Sequence, residues 1–256
     1  MKTVLITGAS SGIGKSFARR FALRGWRIIA VARHEDALET LKGELEEEFQ
    51  AEVLTYAIDL TEEDACKRLY KACKDVRVDV LINNAGFGDS GAFLESDLKK
   101  QEAMVKVNVL ALMRLTHMFG HDMKIRNSGG ILNVASIAAF VPGPYMSVYY
   151  ATKSFVLSFS QALAEEMRDT DVKVTCLCPG PVNTDFFRKA DLLDSPMWKI
   201  APPAKPCMVV HKAVVGLFLG KDVVINSISG RLFYLISRIT PRKLMLKLTG
   251  MVNGQR

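Results

Sequence analysis

Short apolar runs alternate with longer amphipathic segments from the first residues of this 256-residue chain to about residue 225. The runs have the length of β-strands, and the segments between them place apolar residues at helical spacing. Regular alternation of this kind, with short connections, indicates a parallel sheet that is covered by helices on both faces. Because parallel crossovers are right-handed, the sheet is expected to be doubly wound, with ligands at the carboxyl ends of its strands. The pattern therefore predicts a single α/β domain.

The predicted elements follow one another without a low-complexity linker or an internal repeat. Strands are expected over residues 4–6, 27–31, 53–58, 78–82, 131–135, 172–178 and 223–225. Helices are expected over residues 13–24, 35–49, 62–74, 98–123, 148–168 and 207–219. Two segments do not fit the alternation: residues 181–205, which are expected to form a lid, and a basic tail over residues 226–256.

Three glycines lie between the first strand and the first helix, in the segment Thr7-Gly8-Ala9-Ser10-Ser11-Gly12-Ile13-Gly14. Glycine is needed where the backbone adopts a positive φ or must lie against a ligand. The amides at the start of the following helix are free and carry partial positive charge, which suits a pyrophosphate. A tight turn without a ligand can use glycines as well, so this segment alone is a weak indication of a nucleotide site.

Further motifs follow this turn in a fixed order. The turn itself has the spacing T-G-x-x-x-G-x-G, and the later motifs are Asp59-Leu60, Asn83-Asn84-Ala85-Gly86, Asn108, Ser136, Tyr149 with Lys153, and Pro179-Gly180 with Thr184. In these motifs the chain resembles the short-chain dehydrogenase/reductase family, and the resemblance extends over residues 1–225.

The resemblance implies a Rossmann-type domain that binds a nicotinamide dinucleotide and interconverts an alcohol and a carbonyl group. It implies a catalytic tetrad of Asn108, Ser136, Tyr149 and Lys153, in which the asparagine helps to hold a water that passes protons to the lysine. The residues expected to bind the cofactor are Gly8, Ser10, Ser11, Gly12, Ile13, Gly14, Arg33, Asp59, Leu60, Asn83, Ala85, Gly86, Asn108, Tyr149, Lys153, Pro179, Gly180, Val182 and Thr184.

Tyr149 and Lys153 are four residues apart on a predicted helix and therefore share one face. A free tyrosine has a pKa of about 10, and a nearby ammonium is expected to lower it by stabilising the phenolate. The phenol can then give a proton to a carbonyl oxygen, or take one from an alcohol. Tyr150 lies about 100° away around the helix and is interpreted as packing. Tyr145, in a Pro-Gly-Pro loop, is expected to form a wall of the substrate pocket.

The end of the second strand predicts the cofactor. NAD-specific dinucleotide folds place a carboxylate near this point to bind the ribose 2′-hydroxyl. Here the aligned residue is Ala32 and the next is Arg33, whose guanidinium is suited to a 2′-phosphate. His34 could add a further donor, whereas Ser11 in the glycine turn stands where some NADP-dependent members carry a second basic residue. The prediction is NADP(H).

The predicted lid carries an unusual number of large apolar side chains: Phe186, Phe187, Leu192, Leu193, Met197, Trp198 and Ile200. In the resembled family this segment covers the substrate. Such side chains predict a substrate with a substantial hydrophobic part, although they could equally close the edge of the core.

The tail after residue 225 is both basic and amphipathic. Its apolar residues recur at helical spacing in two sets, Leu232, Leu235, Ile236 and Ile239, then Leu244, Leu248 and Met251. Thr240-Pro241 between them is typical of an N-cap followed by a first-turn proline. Such a helix can lie on an anionic membrane, fold over its own substrate cleft, or contact a partner subunit, and the sequence leaves the three open.

The formal net charge of +7 comes from this tail, which holds six basic residues, while no acidic residue follows Asp222. The remaining residues are close to neutral, and the positive charge is confined to one amphipathic tail, so nucleic-acid binding is not expected. No run of about 18 apolar residues predicts a membrane-spanning helix.

Five cysteines, an odd number, and the lack of a signal-peptide pattern at the start indicate free thiols and a cytoplasmic protein. Cys176 and Cys178 are interpreted as core packing, and His117 and His121 lack a third ligand, so no metal site is expected.

These observations predict an NADP(H)-dependent oxidoreductase that acts on a small hydrophobic carbonyl or alcohol compound. The alternative is an NADPH-binding regulatory or membrane-associated protein with little catalysis. The resemblance further implies a homodimer or homotetramer that assembles through the long helices near 98–123 and 148–168.

Overall fold

The computed structural model describes residues 1–186, 190 and 202–254, and its centre is a sheet of seven parallel strands. The strands are β1 Thr3–Thr7, β2 Arg27–Ala32, β3 Val53–Ala57, β4 Val80–Asn83, β5 Gly129–Val134, β6 Val172–Cys178 and β7 Val223–Ile225. Their order across the sheet is β3-β2-β1-β4-β5-β6-β7, so the chain moves outwards in one direction from β1 and then in the other from β4. This arrangement confirms the predicted doubly wound parallel sheet.

Nine α-helices lie within the described residues: α1 Gly12–Ala22, α2 Glu35–Phe49, α3 Ala65–Ala72, α4 Leu98–Val105, α5 Leu112–Ile125, α6 Ser147–Glu166, α7 Pro206–Phe218, α8 Ile228–Ile239 and α9 Arg242–Asn253. Strand residues alternate between the two sides of the sheet. Val4 and Ile6 pack in the core with α1, α2 and α7, while Leu5 between them packs with α3 and α5. Period-two alternation in β1 therefore supplies both cores.

The long helix predicted over residues 98–123 contains a wider turn. A π-helical segment, Lys106–Ala111, joins α4 to α5 and carries Asn108 near its centre. π-Helical turns are frequent at functional sites because the extra residue displaces a side chain from its regular helical position. No proline or glycine marks this position, and the sequence did not predict the wider turn.

The tail forms the two helices α8 and α9, which pack at the carboxyl edge of the sheet. Ser227 caps α8, since its hydroxyl accepts the Gly230 amide at 3.0 Å. The prediction for Thr240-Pro241 was wrong: Thr240 ends α8 by donating its hydroxyl to the Ile236 carbonyl at 2.8 Å, and Pro241 occupies the N-cap position of α9. None of the described helices has the length and hydropathy to cross a membrane.

Candidate active site

A cavity of about 610 Å³ lies along the carboxyl ends of the strands. Residues that follow six of the strands line it, among them Gly8, Arg33, Asp59, Ala85, Ser136 and Gly180. Parallel strands end at one edge of a sheet, so residues far apart in the sequence meet here. The predicted site motifs are thereby brought into one continuous cleft.

The glycine turn forms one end of this cleft. Ser10, Ser11, Gly12 and Ile13 line it, and α1 begins at Gly12. Gly12 has a φ of +54°, and a Cβ atom there would lie 3.2 Å from Thr184 Cγ2. The bare backbone, with the amides of the first helical turn, forms a cradle that fits a dinucleotide phosphate.

Asn84 and Thr7 hold this turn against the end of β4. The Asn84 amide group donates to the carbonyls of Thr7 at 2.9 Å and Gly8 at 3.1 Å. In return, the Thr7 hydroxyl accepts the backbone amides of Asn84 and Ala85, each at 3.0 Å. Both residues belong to motifs of the sequence. No role was predicted for their side chains, because their partners lie more than 70 positions away.

Two of the residues predicted to bind the cofactor do not line the cleft near this turn. A Cβ atom on Gly14 would lie 2.0 Å from the Gly8 carbonyl oxygen, so Gly14 permits α1 to pack against the turn. The side chain of Asn83 faces the core, where it donates to Thr116 Oγ1 and Asn133 Oδ1, each at 2.9 Å. Asn83 ends β4 on the face covered by α5, and a cofactor contact of this residue stays a prediction.

The end of the cleft that is predicted to hold the adenosine is formed by the loops after β2 and β3. Ala32, Arg33 and His34 line it together with Asp59 and Leu60. Within the described residues, the Arg33 guanidinium forms no ion pair, although neighbouring helices carry many paired basic residues. It is therefore available to an anionic group that enters the cleft.

The other end of the cleft holds Tyr149 and Lys153. Both lie on the inner face of α6, with only 8% and 5% of their surfaces exposed. The Lys153 ammonium donates to the Val134 carbonyl at 2.9 Å and lies 5.7 Å from the centre of the Tyr149 ring. Burial lowers the pKa of Lys153 to about 8, although the nearby thiols of Cys176 and Cys178 act in the opposite direction.

Burial raises the pKa of Tyr149 above its ordinary value, while a hydrogen bond with Ser136 lowers it in part. The sequence predicted a pKa lowered by the lysine and by an oxidised nicotinamide, whereas in the structure removal of the phenolate from water is the largest effect. Ser136 lies just after β5 and lines the cleft. Its hydroxyl also accepts a hydrogen bond from the Ala138 amide at 3.1 Å. The phenol of Tyr149 is therefore in its protonated form at neutral pH and can donate a proton.

Asn108 lies behind the cleft and does not line it. Its side chain exchanges two hydrogen bonds with the backbone of Phe87, at 3.1 and 3.0 Å, and donates to Thr152 Oγ1 at 3.1 Å. The Thr152 hydroxyl in turn donates to the Tyr149 carbonyl at 2.7 Å. Asn108 thus connects the loop after β4 to the helix turn that carries the tyrosine.

Tyr150 has a contact beyond its predicted role, and Tyr145 does not have its predicted role. Tyr150 does pack, since its ring lies against Gly143, but its hydroxyl also donates to Asn253 Oδ1 in the tail at 3.1 Å. Tyr145 does not line the cleft: 47% of its surface is exposed, and its φ is +62°. The expectation that Tyr145 forms a pocket wall was wrong, because the Pro-Gly-Pro loop turns it outwards.

The tail forms a wall of the same cleft. Side chains from both of its helices line the end near Tyr149: Phe233, Ile236, Met245, Leu248, Thr249 and Val252. Met245 is buried in the apolar cluster that contains Tyr149 and Tyr150. Of the three arrangements left open by the sequence, the structure shows the tail folded against its own cleft.

Most of the predicted lid lies outside the described residues, including Phe187, Leu192, Leu193, Met197, Trp198 and Ile200. Within the described part, Val182 forms a bridge with Ala204, and Val182, Thr184, Pro179 and Gly180 line the cleft. The Phe186 ring lies 5.5 Å from the Tyr149 ring. An apolar side chain from this segment therefore lies next to the reactive phenol.

The chain is similar to known dehydrogenases and reductases over most of its length. A family model described as short chain dehydrogenase matches residues 2–192. Serine 3-dehydrogenase from Agrobacterium fabrum is 36% identical over 187 residues, which cover 72% of this chain and 73% of the relative. A cattle (Bos taurus) very-long-chain 3-oxoacyl-CoA reductase is 32% identical over 206 residues, 78% of this chain, and the match spans 64% of the length of that relative.

A solved structure is similar over a larger share of the chain. A short-chain dehydrogenase from Sphingobium yanoikuyae in complex with NADPH superposes with a TM-score of 0.84 at 32% identity. The match covers 93% of each chain, and therefore more than the family model does.

Proposed function

The chain belongs to the short-chain dehydrogenase family, and on that premise we propose that it interconverts a lipophilic carbonyl compound and its alcohol with NADP(H). The observation that carries the proposal is the position of the Tyr149 hydroxyl. It is buried at the apolar end of the cleft, bonded to Ser136, with the Lys153 ammonium on the other side of its ring. A proton donor, an oxygen-binding hydroxyl and a positive charge thus meet at one place.

When bound, the cofactor supplies or accepts a hydride, and the protein must move the matching proton. In reduction, the Tyr149 hydroxyl donates its proton to the substrate oxygen as negative charge develops there. The Ser136 hydroxyl donates a hydrogen bond to the same oxygen and holds it beside the phenol. The raised pKa of Tyr149 keeps this proton donor protonated.

Lys153 and Asn108 support this step from behind. The ammonium of Lys153 stabilises a phenolate, and a pKa of about 8 allows it to pass on a proton near neutral pH. Asn108 fixes the backbone of Phe87 and, through Thr152, the helix turn of Tyr149. Loss of either residue is expected to shift the Tyr149 hydroxyl by a fraction of an ångström. Proton transfer is sensitive to a shift of that size.

The preference for NADP(H) rests on Ala32 and Arg33. Ala32 presents no carboxylate to repel a 2′-phosphate, and the Arg33 guanidinium next to it is exposed at the cleft. Arginine binds phosphate through a planar pair of donors. The structure of the NADPH-bound Sphingobium protein, at 32% identity, supports this choice.

The substrate end of the cleft favours an apolar compound. Apolar side chains make up much of its described lining, among them Met146, Phe186, Phe233, Ile236 and Leu248. A cleft of this kind binds a hydrophobic body and orients it through few polar groups. The substrate class is therefore a ketone, aldehyde or oxoacyl compound with a large apolar part.

A panel of such carbonyl compounds with NADPH tests the proposal, with the loss of reduced-nicotinamide absorbance as the readout. Tyr149→Phe should slow single-turnover reduction by roughly 10²- to 10⁴-fold, the usual contribution of general acid catalysis, and leave NADPH affinity nearly unchanged. Tyr150→Phe is the matched control and should retain the rate. Turnover that survives Tyr149→Phe would reassign the proton donor, and NADPH binding without turnover of any compound would favour a regulatory protein.

A further inference from the structure

The outer faces of α8 and α9 each carry a stripe of exposed apolar side chains. On α8 these are Ile228, Leu232, Leu235 and Ile239, and on α9 they are Leu244, Leu248 and Met251. Both sets follow the spacing i, i+4, i+7, so at about 100° per residue each set spans only about 60° of its helix. Ile239 is 83% exposed and Met251 71%, values that no packed core residue shows.

Basic residues flank both stripes on the same side. Arg231 and Arg238 lie beside the α8 stripe, and Lys243 and Lys247 lie beside the α9 stripe, each at about 70–110° from the centre of the stripe on its own helix. All four are exposed, and within the described residues none forms an ion pair. The charge is uncompensated, since no acidic residue follows Asp222 in the sequence.

These stripes border the mouth of the active-site cleft. Ile236 and Leu248 both line the cleft and are 41% and 46% exposed, so each extends from the interior to the surface. Phe233 and Val252 continue the apolar lining inwards towards Met245 and Tyr149. A continuous apolar path therefore leads from the outer face of the tail to the reactive phenol.

We propose that α8 and α9 dock this protein on an anionic lipid surface, with the mouth of the cleft facing the lipid. Apolar side chains that insert between acyl chains, flanked by cations at headgroup level, are the arrangement by which interfacial helices bind anionic membranes. A hydrophobic substrate dissolved in the lipid would then enter the cleft without crossing water. This route for the substrate rests on the proposed function, whereas docking on lipid does not.

A second copy of the chain fits this face less well. A symmetric contact between two tails would bring Arg231, Arg238, Lys243 and Lys247 of each copy together with no acidic residue in either segment. Like charges placed together at an interface oppose association. An anionic headgroup layer supplies the complementary charge and the apolar layer beneath it.

Sedimentation with vesicles tests the docking. The full chain should bind vesicles that contain half phosphatidylglycerol and half phosphatidylcholine, bind pure phosphatidylcholine weakly, and be released as salt is raised. Arg231→Gln with Lys243→Gln and Lys247→Gln should weaken binding by about a hundredfold, because each basic residue near such a surface contributes about 1 kcal/mol. The control with the same change of charge replaces Lys67, Lys71 and Lys74, which are exposed on and just after α3, by glutamine.

A second pair of variants tests the apolar stripe. Leu235→Glu with Ile239→Glu should abolish vesicle binding without unfolding the protein, since both side chains are largely exposed. Leu23→Glu with Ile125→Glu is the matched control: these residues are 62% and 74% exposed, Leu23 directly after α1 and Ile125 at the end of α5. The control should bind vesicles like the unmodified chain.

Two assays separate docking from substrate entry. With a long-chain carbonyl carried in the vesicles, the stripe variant should lose most of its turnover, while with a short soluble carbonyl it should keep the unmodified rate. No vesicle binding by the unmodified chain, or equal loss in the control variants, would overturn the docking. A dimer in light scattering that only the stripe variant dissolves, without vesicle binding, would assign the face to a second copy instead. Docking that persists without any turnover would overturn the proposed function alone.

Discussion

Two parts of the molecule line the same cleft with different chemistry. The strand ends from Gly8 to Gly180 present bare backbone, hydroxyls, a buried ammonium and an exposed guanidinium. Towards the cleft the tail presents mainly apolar side chains, and the neutral groups of Thr249 and Asn253 bond it to the loop and helix beside the cleft. Cofactor and proton chemistry is therefore assigned to the first part, and the shape of the substrate end to the second.

The two parts also differ in what their polar groups do for stability. The Lys153 ammonium is buried with one backbone acceptor, and a buried charge is unfavourable unless it is fully paired. Asn253, also buried, satisfies both ends of its amide by bonds to Tyr150 and Pro144. Removal of the Lys153 ammonium should stabilise the fold and destroy activity. Removal of the Asn253 amide should destabilise the fold and leave the catalytic rate unchanged.

The largest expected effect concerns Lys153 and pH. Its pKa falls from 10.5 in the unfolded chain to about 8 in the folded protein, so between these values the unfolded state binds more protons and stability rises with pH. Below pH 8 both states are protonated and the full cost of burial is present. Relative to Lys153→Met, the unmodified protein should gain about 3 kcal/mol of unfolding free energy from pH 7 to above pH 10.

Urea unfolding of both proteins without cofactor, at pH 7 and pH 10, measures this difference. The raised pKa values of Tyr149 and Tyr150 affect both proteins alike and cancel in the comparison. Lys153→Met should nevertheless be inactive and bind NADPH more weakly. A stability difference that does not change with pH would show that Lys153 is not a buried ammonium.

A smaller effect is expected at the cofactor end of the first part. Ala32→Asp with Arg33→Ala introduces a carboxylate and removes the guanidinium, and it should reverse a preference for NADPH over NADH. A charge-assisted contact contributes roughly 1.5–3 kcal/mol, or about one to two orders of magnitude in affinity. Titration of both cofactors measures it, with Lys74→Ala as the control for loss of an exposed charge. Equal affinities of the unmodified protein for the two cofactors would refute the assignment.

The first part was largely predictable from the sequence, because the patterns that predict its strands and helices lie within short segments. Period-two and period-3.6 patterns predicted every strand of the sheet, and the observed ends lie within three residues of the predicted ones. The motif residues follow strand ends, so the doubly wound fold alone brings them to one edge. The core-facing side chain of Asn83 was less predictable, because a one-residue shift at the end of a strand reverses the face that a residue presents.

The features that were missed depend on partners distant in the sequence. The π-helical turn places Asn108 against the backbone of Phe87, and no residue type within the turn signals it. The tail has a clear amphipathic pattern, but such a pattern indicates a buried face without identifying what covers it. Its placement follows from Asn253 and Tyr150, which are 103 positions apart.

The smallest expected effect tests the hold of the tail on the site. Asn253→Ala leaves the Tyr150 hydroxyl and the Pro144 carbonyl without their partners in a buried position, and should cost about 1–2 kcal/mol of unfolding free energy. Tyr150→Phe removes only the first of these bonds and should cost less. In the double variant the two losses should not add, because they share that bond.

The same variant should change substrate binding without changing the chemistry. Since Asn253 contacts neither Tyr149 nor Lys153, the rate at saturating substrate and the affinity for NADPH should be unchanged. KM for an apolar substrate should rise as the wall formed by Met245 and Leu248 loosens. Urea unfolding and steady-state kinetics measure both quantities. Unaltered stability and KM would show that the tail is held without this bond, and a lost rate with normal KM would place the tail among the groups that serve the chemistry.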